Sequence, residues 1–307
     1  MRRLLGALGA FLGWLLWTLR VRRRVVMGNL RLAFPEWTEA RRREVGRQTF
    51  LNLGRMAPEF LLVSRLGPAE LDRMFVYDPG TAEAVAAARD AGRPVLMCTA
   101  HFGNFENLAA AHSLKGYRVT IVVRRLGGGW LGRFWSQGRT RAGLEVLEVT
   151  RGETLKAARL AMRQGRLLGY VIDQSVSGRQ AVYPTFFGVP AGTSPTPAYL
   201  AMRSGAVVFF LLDVPLPDGR HHIVIEGPLE PRRTGDHDAD VLAFMQDLND
   251  RLERWIRLYP DRWYWLHRRW KNRPPADGSG SRRRQRKRRD EDRSSESPPV
   301  DPAADAE

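Results

Sequence analysis

Short apolar runs alternate with helical segments from residue 93 to residue 258, and this alternation constrains the fold more than any other feature. The runs at 94–100, 118–123 and 167–173 are continuous and bounded by Gly, Arg or Pro, as expected of buried strands. Two later runs, 206–214 and 221–227, flank a turn. We therefore predict an α/β domain with a mixed, largely parallel central sheet flanked by helices.

Helical segments are predicted between these runs, where apolar residues recur at helical spacing. They cover much of 25–75 and then 104–116, 130–143, 153–165, 194–205 and 236–258, with a further strand at 144–149. Ligands of such sheets bind beyond the carboxyl ends of the strands. His101 and Asp173 both stand at predicted strand ends, which makes them candidate site residues.

The N-terminus carries an uncharged apolar segment at 4–19, followed by the basic cluster RVRRR at 20–24. A transmembrane helix usually needs about 20 apolar residues, so this segment is short. We predict that residues 1–24 form an uncleaved membrane-anchor helix with a basic flank, either spanning a thin bilayer or lying partly embedded. A cleaved signal peptide is the alternative, although no small-residue cleavage site follows. The basic flank favours a domain that faces the cytoplasm.

The formal net charge of +16 resides on the first 275 residues. The tail at 276–307 contains equal numbers of basic and acidic residues and almost no apolar ones, so we predict that it is disordered. A basic surface attracts nucleic acid, anionic lipid or an acidic carrier protein. The single cysteine, Cys98, excludes an internal disulfide and a cysteine-based metal site, and the histidine spacing predicts no metal.

The stretch HFGNFE at 101–106 suggests acid–base chemistry. His101 follows a strand and precedes a helix, and Glu106 lies about one turn into that helix. We expect Glu106 to contact the imidazole and fix its tautomer, so that His101 acts as a general base. Gly103 and Asn104 are expected to expose backbone N–H groups to an anionic substrate. Because no G-x-S-x-G nucleophile motif occurs, direct transfer to a hydroxyl is the simpler scheme. Chance spacing without function is the alternative.

These residues resemble the H-x4-D/E motif of the glycerolipid acyltransferase superfamily, and in particular the late acyltransferases of lipid A biosynthesis, of the lauroyl and myristoyl transferase type. Further stretches resemble that family in the same order: VVRR at 122–125, GRTRAG at 138–143, VIDQS at 171–175, FFGVPAGTSPTPAYLA at 186–201 and WYWLHRRWKNRPP at 263–275. The resemblance covers about 4–275 and leaves out the charged tail. Phe105 departs from it, because many members have Trp there.

The resemblance implies an enzyme that moves an acyl chain from an acyl carrier protein, or from coenzyme A, to a hydroxyl of a lipid A precursor in the inner membrane. It implies no cofactor apart from the acyl thioester. The carried-over roles are base for His101, partner of the base for Glu106, phosphate or oxyanion binding for Arg124 and Arg141, and the acceptor side for Asp173 and Gln174.

Three alternatives remain open at this point. An enzyme of the same fold acting on another acceptor, such as a phosphatidylinositol mannoside or another lysolipid, shares all of these motifs. The arginine content also suits a membrane-tethered nucleic-acid-binding protein, but no nucleic-acid fold signature occurs. An inactive scaffold of the same fold is the third. The predicted layout is an anchor at 1–24, an acyltransferase domain at 25–275 and a tail at 276–307.

Overall fold

The computed structural model describes residues 2–123, 129–148, 153–177 and 181–274. Its helices are α1 (Arg2–Thr18), α2 (Arg23–Ala33), α3 (Glu39–Val63), α4 (Pro68–Met74), α5 (Thr81–Asp90), α6 (Phe105–Leu114), α7 (Trp130–Arg141), α8 (Thr154–Arg163), α9 (Thr196–Ser204) and α10 (His237–Leu258). Its strands are β1 (Phe75–Tyr77), β2 (Val95–Thr99), β3 (Val119–Val123), β4 (Glu145–Glu148), β5 (Leu167–Val171), β6 (Thr185–Phe186), β7 (Val189–Pro190), β8 (Val207–Pro215) and β9 (His221–Leu229).

The central sheet has seven strands in the order β1-β9-β8-β2-β5-β3-β4. All neighbouring pairs are parallel except β8 and β9, which form an antiparallel hairpin. The predicted mixed, largely parallel α/β sheet is therefore confirmed. Edge strand β1 and helix α5 are additions to the prediction, because a three-residue strand is too short to show a period of its own.

Both faces of the sheet are covered, which explains the continuous apolar runs. Along β2, Leu96 and Cys98 join the core on one face, where α9, α10 and the C-terminal segment pack. Val95 and Met97 join the core on the other face, which includes Leu108 of α6. The C-terminal end of this buried central strand is the position from which His101 projects.

Helix α1 packs closely against α3 through glycines. A Cβ added at Gly9 or Gly54 would collide with the backbone of the facing helix, so only glycine permits this approach. The opposite side of α1 exposes Leu8, Phe11 and Leu12, each more than half accessible. Within the described residues, no single helix is long and apolar enough to cross a membrane; α1 and α2 meet that test only together, with a bend of 87° between them. The membrane anchor thus remains a prediction.

Candidate active site

His101 and Asp173 meet at the carboxyl edge of the sheet. β2 and β5 are parallel neighbours with Thr99 opposite Val171, so the residues that follow the two strands lie side by side. The imidazole Nδ1 lies 2.8 Å from Asp173 Oδ1, and the backbone N–H of His101 donates to Oδ2 at 3.0 Å. Asp173, which the sequence suggested for the acceptor side, is therefore the partner of the imidazole.

Trp263, from the segment after α10, holds the other side of the same carboxylate. Its indole N–H donates to Asp173 Oδ2 at 2.7 Å, and the next backbone N–H, from Tyr264, donates to the carbonyl of His101 at 2.9 Å. A buried indole needs an acceptor for its N–H, which is the only sequence-level signal for this contact. The His-Asp pair is thus fixed by a third element from the C-terminal part of the domain.

The charges of this pair set the protonation state of the imidazole. Burial lowers the pKa of His101, but the charge of Asp173 and its hydrogen bond outweigh burial and raise that pKa above its ordinary value. Burial likewise works to raise the pKa of Asp173, but His101 and Trp263 lower it to about 2. Asp173 therefore stays ionised and orients Nδ1–H, which leaves Nε2 to accept a proton. Gln174 places its amide nitrogen 3.4 Å from that Nε2.

Glu106 contacts an arginine rather than the imidazole. Its two carboxylate oxygens lie 2.5 and 3.0 Å from the guanidinium of Arg139 in α7, and both side chains are about nine-tenths buried or more. The prediction that Glu106 fixes the tautomer of His101 is corrected, because the first turn of α6 directs this carboxylate toward α7. Its charge still acts on the imidazole through space and raises the pKa of His101.

The arginine of the GRTRAG stretch that reaches the site is Arg139 and not the predicted Arg141. Arg141 is exposed, two residues and about 200° further around the helix. Arg139 belongs to the inward face with Gly138 and Ala142, which are buried, and this spacing was available in the sequence. The other predicted arginine, Arg124, lies outside the described residues.

Two cavities of different character meet at His101. The first, of about 230 Å³, is mainly apolar and lies between the sheet and α6. The second, of about 340 Å³, is lined by both polar and apolar groups and lies between α3 and the β8–β9 hairpin. Its lining includes the guanidinium groups of Arg55, Arg220 and Arg262. The imidazole is therefore placed between a mainly apolar compartment and a more polar one.

Comparison with known proteins assigns this arrangement to a family. The family described as bacterial lipid A biosynthesis acyltransferase matches residues 2–272. The chain belongs to this family. It is an acyltransferase, in agreement with the resemblance of its motifs.

The names of individual relatives differ in the acyl chain and in the acceptor lipid. The chain is 26% identical to the lipid A biosynthesis lauroyltransferase of Escherichia coli (strain K12), over 82% of this chain and 80% of that protein. It is 23% identical to the lipid A biosynthesis myristoyltransferase of the same organism, over 83% and 77%. It is 31% identical to the phosphatidylinositol mannoside acyltransferase of Mycolicibacterium smegmatis, over 60% and 59%.

In this acyltransferase the turn after His101 serves the fold rather than offering free donors. Gly103 has φ +57°, and a Cβ there would collide with the carbonyl of Asp213, so the position requires glycine. Its N–H donates to the carbonyl of Arg262 at 2.9 Å. The Asn104 side chain caps α6 and donates to Glu59 Oε2 at 2.9 Å. The prediction that this turn exposes N–H groups to substrate is therefore corrected for Gly103, whose N–H is bound to Arg262. The side-chain amide of Asn104 is likewise bound, to Glu59.

A buried cation supports that turn from below. His221 of β9 has Nδ1 at 2.7 Å from Asp213 Oδ1 and Nε2 at 3.1 Å from Glu59 Oε1. Burial alone would lower the pKa of His221, but the two carboxylates raise it to about 10. The imidazolium therefore bridges both acids and offsets one of their two charges. These acids in turn bind Asn104, because Glu59 accepts from its side-chain amide and Asp213 accepts from its backbone N–H. The sequence does not predict this function of His221, because Glu59 lies 162 positions away along the chain.

Because the pKa of His221 is raised, we predict that the free energy of unfolding decreases at alkaline pH. A folded-state pKa of about 10, against about 6.5 in the unfolded chain, stabilises the fold fully below about pH 6.5, and this stabilisation is lost as the pH rises through about 10. His221→Gln should remove this dependence, which is on the order of a few kcal/mol. Urea unfolding in detergent at pH 7 and pH 10 measures it. His222→Gln, at the partly buried neighbour, is the control and should retain the wild-type difference in unfolding free energy between the two pH values. An equal difference in His221→Gln contradicts the assignment.

Proposed function

We propose that this enzyme transfers a fatty acyl chain from an acyl carrier protein, or from acyl-coenzyme A, to a hydroxyl of a lipid A precursor at the cytoplasmic face of the inner membrane. The observation that carries the proposal is the position of His101, where a mainly apolar cavity meets a more polar one that is lined by three arginines. An acyl thioester presents its chain to the first cavity, and a phosphorylated saccharide presents its hydroxyl from the second.

The reaction needs one base and one charge partner. Nε2 of His101 removes the proton of the acceptor hydroxyl while the oxygen attacks the thioester carbonyl. Asp173 stabilises the imidazolium that forms. Collapse of the tetrahedral intermediate forms the ester and breaks the carbon–sulfur bond, and the imidazolium returns its proton to the leaving thiolate. The amide N–H group of Gln174, close to Nε2, is placed to donate to the oxyanion.

The polar cavity suits a phosphorylated acceptor because it combines cations with hydrogen-bonding groups. Arg55, Arg220 and Arg262 offer positive charge at its walls, and Asn52 and Asp261 add amide and carboxylate groups. Arginine pairs with phosphate oxygens in bidentate geometry, whereas amides and carboxylates bond sugar hydroxyls. This lining favours a phosphosugar lipid over a neutral acceptor.

The N-terminal part suits contact with the bilayer surface. Helix α1 exposes apolar residues, and the chain that follows it lines a groove with basic side chains, among them Arg23 and Arg24. An apolar helix face beside clustered cations suits insertion into the headgroup region of an anionic membrane. Deletion of 2–19 should move the protein from the membrane pellet to the supernatant; an unchanged pellet fraction contradicts this placement.

A phosphatidylinositol mannoside or a similar glycolipid is the second candidate acceptor. The mycobacterial phosphatidylinositol mannoside acyltransferase shares 31% identity with this chain, which exceeds the 26% shared with the lauroyltransferase, although over a shorter stretch. The donor chemistry and the role of His101 are the same for both acceptors.

The test is mass spectrometry of membrane lipids from a strain that lacks this gene, complemented with wild type, His101→Ala or the control His222→Ala. Wild type and the control should add one acyl chain to a lipid A precursor, and His101→Ala should lower this product by at least about 100-fold. Acylation of a different glycolipid supports the second acceptor. A fully active His101→Ala protein overturns the mechanism, and no lipid change with wild type overturns the function.

A further inference from the structure

The apolar cavity descends from His101 in three layers of side chains along the parallel strands. From His101 downward, the layers are Thr99 with Val171, then Met97 with Gly169 and Ile121, then Leu167 with Val119. Successive layers are two residues apart, about 6.6 Å along a strand, so the cavity reaches roughly 13 Å below the catalytic edge.

Helix α6 forms the opposite wall and brings a histidine to the lower end. The helix runs from Phe105 at the top of the cavity to His112, a descent of about 10 Å. His112 is buried, and Nδ1 donates to the carbonyl of Leu108 at 2.7 Å. Burial lowers the pKa of His112, so the ring is neutral at the base of an apolar compartment. His112 therefore lines the lower part of the cavity.

The middle layer is open because one of its three members is a glycine. Met97 and Ile121 fill their positions, whereas Gly169 contributes no side chain. A Cβ added at Gly169 would lie 3.2 Å from Ile121 Cγ2, so alanine requires only a small movement of the isoleucine. Any larger side chain at 169 projects into the passage between the upper and lower layers.

Two independent measures give the same capacity. Carbon–carbon bonds of about 1.5 Å advance an extended chain by about 1.3 Å per methylene, so 13 Å accommodates about ten carbons. An apolar cavity of about 150 Å³ holds the six carbons of benzene, and by proportion the 230 Å³ found here holds about nine. With the carboxyl end of the chain beside His101, the acyl group has about ten to twelve carbons.

We propose that Gly169 and His112 determine the length of the transferred acyl chain: the glycine admits the chain to the lower layer, and the histidine limits the space available there. The preferred donor is then a medium-chain acyl thioester. This inference rests on the proposed acyl transfer, and it adds the chain-length class and the two residues that set it.

The test is a competition between acyl carrier proteins loaded with saturated chains from about eight to about sixteen carbons, with product masses read by mass spectrometry. Wild type should favour about ten to twelve carbons. Gly169→Val should lower use of that preferred donor by about 10-fold or more and shift the products to shorter chains. His112→Ala should shift them to longer chains. Gly28→Ala, where an added Cβ meets nothing within 4 Å, is the matched control and should keep the wild-type profile.

Gly169→Ala provides a second reading in case valine prevents folding, because its Cβ is nearly accommodated already. A shift toward shorter chains in this variant supports the inference. Active Gly169 and His112 variants that both retain the wild-type chain-length profile overturn it. Failure of wild type to transfer any acyl chain from any donor overturns the proposed function instead, so the two failures are distinguishable.

Discussion

Asp173→Asn should lower kcat by about 10²- to 10⁴-fold while the protein stays folded. The carboxylate is the group that orients Nδ1–H and stabilises the imidazolium, and an amide of the same shape keeps the packing without the charge. The measurement is steady-state kinetics with an acyl thioester donor. Asp90→Asn, at the exposed end of α5, is the control and should leave kcat unchanged.

The same variant should change the pH profile in a defined direction. Catalysis requires neutral His101, so the wild-type rate rises as the pH increases through the raised pKa of that residue. Loss of the Asp173 charge lowers the pKa of His101, and the midpoint of the acidic limb of kcat/KM should move to lower pH. Trp263→Phe removes one hydrogen bond to the carboxylate but leaves its charge, so it should not reproduce the shift to lower pH. A wild-type midpoint in Asp173→Asn contradicts the proposed pairing.

The partner of His101 is an example of what the sequence does not reveal. The sequence correctly places His101 and Asp173 at strand ends, because apolar runs mark the strands. It does not state which strands are neighbours: β5 inserts between β2 and β3, and this crossover brings together residues 72 positions apart. Glu106 is close to His101 in sequence, so the sequence favours it as the partner of the imidazole. The helix directs its carboxylate toward Arg139 instead.

In helix α7, by contrast, the sequence does indicate which arginine faces the site. The pattern of Trp135, Gly138 and Ala142 defines an inward face, and Arg139 lies on it. The choice between Arg139 and Arg141 follows from helical geometry alone, without knowledge of the partner. In contrast, the partner of a buried indole such as Trp263 depends on how a segment after the last helix crosses the sheet edge, which periodicity does not encode.

Glu106→Ala and Arg139→Ala should each lower the free energy of unfolding by about 3–5 kcal/mol, because each leaves an uncompensated charge in a buried site. The double variant should be less destabilised than the sum of the two, since neither charge then remains. Denaturant unfolding of the single and double variants measures this coupling. Arg141→Ala, two residues along the same helix but exposed, is the matched control and should change stability by no more than about 0.5 kcal/mol.

The Glu106–Arg139 ion pair also affects the pKa of His101. The pH dependence of the variants therefore shows whether Glu106 acts through its charge or by orienting the imidazole directly. The charge of Glu106 raises the pKa of His101, and that of Arg139 lowers it. Glu106→Gln should therefore move the acidic limb of kcat/KM to lower pH, Arg139→Met should move it to higher pH, and the double variant should return toward the wild-type midpoint. If Glu106 oriented the imidazole directly, Glu106→Gln would lower kcat, and the additional loss of Arg139 would not restore it. Recovery of both the midpoint and the stability in the double variant means that Glu106 and Arg139 act on His101 through their opposite charges.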